Sequence, residues 1–210
     1  MNKIAIWGAA SGLGAAMVDY FHGQGWHVTA IARNPERNPQ LAAQQIATLE
    51  CDATVLKQVQ TTVAQLSEEV IHISTMGSFN AEIPVDYIGH RHLIDALEAQ
   101  GNPRFLLVTS LGCGDSWHYL PERAKAVFGH AVREKSLAEA WLQSSKLPFT
   151  ILRPGGLKDG APTQEGVLSQ NQEVHGVITR GEVARLSHQL LLSPESVGQI
   201  YHCVDPNVTY

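Results

Sequence analysis

A glycine-rich turn between a short apolar run and a helical pattern constrains the fold of this chain most strongly. The stretch IAIWGAASGLGAAMVDYF, residues 4–21, places Gly8, Gly12 and Gly14 in that turn. A strand that enters a helix this way directs free backbone N–H groups and the positive end of the helix at an anion such as a pyrophosphate. Gly8 then allows the tight turn, Gly12 a close approach of the ligand, and Gly14 the packing of helix on strand.

The spacing of these glycines is GxxxGxG rather than the GxGxxG of the standard dinucleotide fingerprint. The turn therefore leaves two alternatives open: a dinucleotide site, or a turn that only starts a helix. We predict the first, because the turn follows the first strand of the chain. The residues predicted to contact the nucleotide here are Gly8, Ala10, Ser11, Gly12, Leu13 and Gly14.

Short apolar runs alternate with amphipathic stretches along the whole chain, which is typical of a parallel sheet covered by helices on both faces. Residues 1–210 are predicted to form a single Rossmann-like, doubly wound α/β domain with a mostly parallel sheet. Strands are expected near 3–7, 27–32, 46–50, 70–74, 104–109, 148–153 and 199–203, and helices near 12–24, 55–66, 84–99, 121–144 and 181–192. Thr179 and Glu182 fit a capping box at the start of the last helix.

Composition narrows the possible partners and compartment. The net charge of −5 argues against a nucleic-acid surface, and no apolar stretch is long enough for a signal peptide or a membrane span. Three cysteines without CxxC spacing argue against disulfides and structural zinc, and no histidine motif indicates another metal. We expect a cytoplasmic protein, monomeric or homodimeric, that binds a small-molecule substrate, no metal, no nucleic acid and no membrane.

A basic cluster at the end of the second predicted strand bears on the cofactor. Arg33 stands where NAD-binding proteins of this type usually place an acid for the ribose 2′-hydroxyl. With Asn34 and Arg37 nearby, its guanidinium can grip a 2′-phosphate through two parallel hydrogen bonds. This favours NADP(H), with NAD(H) possible; the alternative is a solvated arginine in a polar loop.

Several segments resemble the short-chain dehydrogenase/reductase superfamily, and the later ones are most similar to its atypical branch, the NmrA-like and biliverdin-IXβ/flavin reductase-like NAD(P)-binding proteins. The segments are GAASGLG at 8–14, Cys51-Asp52, Thr75-Met76-Gly77, LVTS at 107–110 and TILRPGG at 150–156. The resemblance implies that Asp52 and Ala53 lie near the adenine and that Thr75, Met76 and Gly77 pass under the cofactor. It also implies that the segment from Arg153 through Pro154 and Gly155 to Gly156 frames the nicotinamide.

The superfamily's tyrosine is missing, because Ala131 stands four residues before Lys135. Lys135 falls on an apolar stripe of its predicted helix, so it must extend to solvent, pair with Glu139, or face a polar cavity such as a cofactor ribose. The resemblance implies the third option, since the family's lysine binds the nicotinamide ribose. Lys135 is therefore predicted both to contact the cofactor and to take part in catalysis.

Ser110 is the second catalytic candidate, because it ends a strand where open α/β sheets bind ligands, and it is also predicted to contact the cofactor. Tyr119 is the third; its spacing to Lys125 does not fit the family motif, so it is predicted mainly as a pocket wall. Residues 111–125 and 156–178 are expected to form an irregular substrate pocket. Without the family tyrosine, a proton would come from Tyr119, His118, His130 or solvent.

The predicted function is transfer of a hydride from NADPH to a small acceptor, either a planar conjugated ring or a carbonyl compound. A conjugated ring spreads the incoming charge, so it needs no strong acid from the protein. The alternative is a non-catalytic, NADP(H)-sensing NmrA-like regulator, which would keep the glycine turn and Arg33. A sugar-nucleotide epimerase or dehydratase is a third, less favoured reading.

Overall fold

The computed structural model describes residues 2–78 and 81–209, and its main feature is an eight-stranded sheet in the order β3-β2-β1-β4-β5-β6-β10-β8. Its strands run parallel except β8, which is antiparallel to β10. Its strands are β1 (Lys3–Trp7), β2 (His27–Ala32), β3 (Ala47–Glu50), β4 (Ile71–Ser74), β5 (Phe105–Val108), β6 (Phe149–Pro154), β8 (Val167–Ser169) and β10 (Gln199–Val204). The strands β7 (Gly156–Lys158) and β9 (Val177–Thr179) pair in parallel as a separate small sheet. The predicted doubly wound, mostly parallel fold is confirmed.

Helices cover both faces of this sheet. They are α1 (Gly12–Gly23), α2 (Pro39–Ala43), α3 (Leu56–Val63), α4 (Val85–Gln100), α5 (Glu122–Gln143) and α6 (Arg180–Leu192). Successive side chains of a strand point to opposite faces. Accordingly Ile4 and Ile6 pack in a core with α1 and α6, whereas Ala5 and Trp7 pack in a second core with α3, α4 and α5.

The order of the strands places the ligand-binding edge. β1 lies between β2 and β4, so the chain winds outward on one side through β2 and β3 and on the other through β4, β5 and β6. Ligands of open α/β sheets bind beyond the carboxyl ends of the strands at such a switch point. The glycine turn after β1 and the segment after β4 therefore meet there.

The structure corrects several local predictions. Residues 156–178 are not simply irregular: they contain β7, β8 and the start of β9, which are too short to show an alternating pattern. The helix α2 was missed for the same reason. Only half of the capping box forms, because the Thr179 side chain accepts from the Glu182 N–H at 3.1 Å while the Glu182 carboxylate accepts from Gln164 and Gly166.

Across residues 2–78 and 81–209, none of the helices has both the length and the apolar character that crossing a bilayer requires.

Candidate active site

The glycine turn has the geometry of a nucleotide cradle. Gly8 has φ +88°, and a Cβ there would lie 3.1 Å from the Met76 backbone nitrogen. A Cβ on Gly14 would lie 2.0 Å from the Gly8 carbonyl oxygen, so only glycine lets α1 pack on the turn. The Ser11 side chain caps no backbone N–H at the start of α1. The tight turn and the uncapped backbone N–H groups at the start of α1 therefore fit a phosphate-bearing ligand.

A cavity of about 460 Å³, which we call the nucleotide cavity, opens beside this turn. Its lining includes many of the residues predicted for the cofactor: Gly8, Ala10, Ser11, Arg33, Asn34, Arg37, Asp52, Ala53, Thr75, Met76 and Gly77. Gly12, Leu13 and Gly14 do not line it; Leu13 is buried in the core and Gly14 packs on Gly8. Trp7, Ile31, Thr54 and Ser78 also line the cavity and were not predicted, although each lies within two residues of a predicted one.

Charge at one end of this cavity comes from Arg33 and Arg37, which follow β2 and are exposed. Asp52 accepts from the Thr54 backbone N–H at 2.9 Å and from the Thr54 hydroxyl at 2.7 Å. Burial opposes ionisation of Asp52, but the Thr54 bonds and the Arg33 charge outweigh burial and lower its pKa. This end of the cavity thus holds two cations beside one well-fixed carboxylate.

A second, mainly apolar cavity of about 700 Å³ lies beyond β5 and β6. Four predicted residues line it: Ser110, Lys135, Pro154 and Gly155. Both predicted pocket segments contribute, through Leu111, Leu120, Pro121, Arg123, Ala124, Gly156, His175 and Gly176. The remaining wall is a face of α5 formed by Val127, Phe128, Ala131 and Val132, which the sequence indicated only as an apolar packing stripe.

Lys135 lies where the two cavities approach each other. Its Nζ is 2.8 Å from Asp86 Oδ1 and donates to the Met76 carbonyl at 3.3 Å, while its side chain also lines the apolar cavity. The alternative pairing with Glu139 is wrong, because Glu139 points into the core toward Arg153. The lysine is therefore tied to the segment after β4, which lines the nucleotide cavity.

Asp86, in the first turn of α4, was not predicted from the sequence. Its carboxylate is 1% exposed and accepts from both the backbone N–H and the hydroxyl of Ser78 at 2.9 Å. Burial raises the pKa of Asp86, but the charge of Lys135 and the Ser78 bonds outweigh burial and hold the pKa below its usual value. Asp86 thus stays ionised and fixes Lys135 to the loop that carries Met76 and Ser78.

A buried ionic network lies next to the apolar cavity, because its members Thr109 and Arg153 directly precede the lining residues Ser110 and Pro154. The Arg153 guanidinium donates to Glu139 through Nε at 3.0 Å and Nη2 at 2.6 Å, and both side chains are at most 2% exposed. Thr109 donates to Glu139 at 2.6 Å, and Arg153 also reaches Asp115 at 2.5 Å. Burial lowers the pKa of Arg153, but its bonds to Glu139 and Asp115 outweigh burial and raise it.

This network changes the expected role of Arg153. The resemblance placed Arg153 with Pro154 to Gly156 at the nicotinamide, but its guanidinium is engaged inside the protein. Through Asp115 it holds the 3₁₀ helix of residues 114–119, which leads into the wall of the apolar cavity.

Ser110 and Tyr119 do not share one cavity. The Ser110 hydroxyl is partly exposed, 3.5 Å from the Cys113 sulfur, and faces the apolar cavity. Tyr119 lines a smaller neighbouring cavity with His175 and His202. The structure therefore groups Ser110 with Lys135 and leaves Tyr119 beside them.

Two buried histidines lie beneath the nucleotide cavity. His90 Nδ1 donates to the Asp86 carbonyl at 2.6 Å, so its Nε2 accepts from the Ser74 hydroxyl at 2.8 Å. His72 Nδ1 accepts from the Trp7 indole at 3.1 Å. Burial lowers the pKa of His72 to about 3, and burial together with the Lys135 charge lowers that of His90 to about 4, so both are neutral at pH 7.

Comparison with known proteins agrees with this geometry. The profile of the NAD(P)H-binding family matches residues 8–194. The solved structure of ChuY from Escherichia coli O157:H7, described as an anaerobillin reductase, is 41% identical, covers 100% of both chains and superposes with a TM-score of 0.90. Sanguinarine reductase from Eschscholzia californica is 32% identical over 138 residues, which are 60% of this chain and 50% of the relative.

A wide-type short-chain dehydrogenase/reductase from Veillonella parvula, solved with NADP, shares the fold at 18% identity and a TM-score of 0.75, covering 100% of this chain and 97% of that one. The chain spans about half the length of several curated relatives that it matches.

The chain belongs to the NAD(P)H-binding family. The predicted NAD(P)-binding family is thereby confirmed, and the prediction of an NAD(P)H-dependent reductase is borne out at the level of class.

Proposed function

We propose that this chain is an NADPH-dependent reductase of a planar conjugated acceptor, and that the acceptor is a bilin, an open-chain tetrapyrrole. One observation carries the proposal: a glycine-lined nucleotide cavity and a large apolar cavity approach each other at Lys135. A bound nicotinamide supplies the hydride. The protein's part is to hold cofactor and acceptor together and to keep water from the reacting centres.

Preference for NADPH over NADH rests on Arg33 and Arg37. Both line the nucleotide cavity just beyond β2, with their side chains exposed toward it. A guanidinium matches two oxygens of a 2′-phosphate, whereas a 2′-hydroxyl offers it little. Asp52, fixed by Thr54, remains available to accept from other hydroxyl or amino groups of the nucleotide.

The bilin assignment rests on the chemistry of the apolar cavity. Its volume of about 700 Å³ falls in the usual range for small-molecule sites, and its walls are mostly aliphatic and aromatic. Arg123 and His175 also line it, which suits a flat apolar molecule that carries carboxylates. The similarity to ChuY, described as an anaerobillin reductase, supports the same acceptor class.

Within this site Lys135 is assigned to the ribose hydroxyls of the nicotinamide and Ser110 to a polar group of the acceptor. Asp86 holds Lys135 in place. Ala131 lines the cavity where the superfamily would carry tyrosine, so the chain supplies no phenol acid from α5. A conjugated acceptor fits this arrangement, because its π-system spreads the charge of the added hydride and solvent or a nearby side chain can complete protonation.

The test is a titration of the protein with NADPH and NADH by cofactor fluorescence. It is followed by addition of a bilin, FMN, a quinone or a small aldehyde while the nicotinamide absorbance is recorded. The proposal expects tighter NADPH binding and oxidation with the bilin at the highest kcat/KM. Oxidation only with another acceptor would overturn the bilin assignment, and tight binding without turnover would favour the NADP(H)-sensing alternative.

A further inference from the structure

Arg180, the first residue of α6, lies beside the glycine turn without belonging to the cavity lining described above. Its Nη1 donates to Asp159 Oδ1 at 2.7 Å. Its Nε is fully buried and, within the part of the chain that the structure describes, has no hydrogen-bond partner. A Cβ on Gly12 would lie 3.8 Å from this Nε, with no other described atom within 4 Å outside the turn itself. The unpartnered donor therefore packs against the Gly12 turn, while the Arg180 side chain as a whole is 25% exposed.

The energetics leave this guanidinium available for an anion. A buried donor without an acceptor is destabilising, and the guanidinium would remove that cost by turning toward an incoming oxygen. The Asp159 side chain is 97% exposed, so the ion pair that now holds Arg180 contributes little and is readily exchanged. Gly12 has φ +55°, and a Cβ there would be in van der Waals contact with the Arg180 side chain, so the guanidinium borders the turn directly.

We propose that Arg180 is a phosphate-binding residue that grips the pyrophosphate of the dinucleotide over the Gly12 turn. The inference rests on the proposed nucleotide site and adds a residue to it. The start of α1 offers N–H groups but no full charge, and the net charge of −5 gives no general attraction for a phosphate. Arg33 and Arg37 follow β2 and are assigned to the 2′-phosphate, whereas Arg180 follows β9.

Removal of Arg180 and removal of Arg33 are expected to weaken the binding of different nucleotides. NADPH and NADH share the pyrophosphate, so loss of Arg180 weakens both. Only NADPH carries the 2′-phosphate, so loss of Arg33 weakens NADPH alone. Adenosine 2′-monophosphate carries the 2′-phosphate without a pyrophosphate and separates the two sites directly.

The experiment measures binding of NADPH, NADH and adenosine 2′-monophosphate to the full chain and to Arg180→Gln by calorimetry. The control is Arg91→Gln on α4, which removes another arginine whose partner is an exposed aspartate, Asp95 at 3.8 Å. Arg180→Gln is expected to weaken NADPH and NADH each by roughly tenfold or more and to leave adenosine 2′-monophosphate unchanged. Arg91→Gln should leave all three unchanged.

Equal affinities in the wild type and Arg180→Gln, or a parallel loss of adenosine 2′-monophosphate, would overturn the assignment. Arg180→Lys keeps a charge at the same place and should retain part of the affinity even if the glutamine variant folds poorly. If the wild type bound neither dinucleotide, the proposed function would fail with Arg180. If the wild type binds both and the Arg180 variants do too, only the Arg180 assignment fails.

Discussion

The two ends of the ligand-binding edge are built from different interactions. The cofactor end, the cavity beyond β1 to β4, rests on glycine turns and on the neutral histidines His72 and His90. The acceptor end, the cavity beyond β5 and β6, rests on the buried Arg153–Glu139 pair and on one face of α5. Glycine turns and neutral histidines thus underlie the cofactor end, a fully buried ion pair underlies the acceptor end, and the Lys135–Asp86 pair lies between them.

The largest expected effect follows from the charges at the acceptor end. Glu139→Gln leaves Arg153 buried without its full counter-charge, so we expect the free energy of unfolding to fall by about 3–5 kcal/mol in urea denaturation. The matched control is Glu122→Gln on the same helix, whose exposed pair with Lys125 should contribute less than about 1 kcal/mol. Similar losses of unfolding free energy in the two variants would show that the buried pair stabilises the fold no more than the exposed pair does.

At the cofactor end, Arg33→Ala is expected to weaken NADPH binding by about 1.5–3 kcal/mol, the range for a hydrogen bond to a charged group, and to leave NADH nearly unchanged. Calorimetric titration with both nucleotides measures the difference. Equal losses for NADPH and NADH would remove the 2′-phosphate role of Arg33.

Acidification tests the two buried histidines of the cofactor end, because they are neutral only in the folded protein at mildly acidic pH. His72 and His90 have folded pKa values of about 3 and about 4, below the unfolded value near 6.5, so the unfolded chain takes up protons first. Their contribution to stability is complete above about pH 6.5 and is lost progressively as the pH falls toward the folded pKa values of about 3 and about 4. We expect about 2 kcal/mol per histidine to be lost between pH 7 and pH 5.

Urea denaturation of the wild type, His90→Gln and His22→Gln at both pH values checks this. The His90 variant should lose less stability on acidification than the wild type, and the exposed His22 variant should match the wild type. An identical pH dependence in all three proteins would show that His90 does not link protonation to folding.

The smallest effect is expected at the acceptor itself. Ser110→Ala removes one hydroxyl that faces the apolar cavity, so turnover should fall by roughly tenfold while the NADPH dissociation constant stays the same. Steady-state kinetics with a fluorescence titration separates the two quantities, and Ser144→Ala, exposed at the end of α5, serves as the control. An unchanged rate would remove Ser110 from the mechanism.

The same contrast explains what the sequence could predict. At the cofactor end the information is local: Gly8, Gly14, Arg33 and Thr75 each follow a strand within a few residues, so a parallel fold brings them to one edge. The central strands were predictable because they are mostly buried, largely apolar runs, and the longer helices because they carry apolar stripes. The short β7, β8, β9 and α2 carry no such pattern.

At the acceptor end the information is not local. Arg153 and Glu139 lie on different elements. The ion-pair partner of Lys135 is Asp86 on α4, 49 positions away in the chain. An apolar stripe on α5 predicts packing equally well whether its partner is a core or a ligand cavity. Only the assembled fold distinguishes the two, which is why Asp86 and the α5 wall were missed.

The most direct test of the central claim follows the hydride itself. NADPH carrying deuterium at either the pro-R or the pro-S position of nicotinamide C4 is incubated with the protein and a bilin, and the product is examined by mass spectrometry. Transfer from the cofactor end to the acceptor end predicts a product heavier by one deuterium with one of the two cofactors only. A reduced bilin that carries no deuterium from either cofactor would contradict the account.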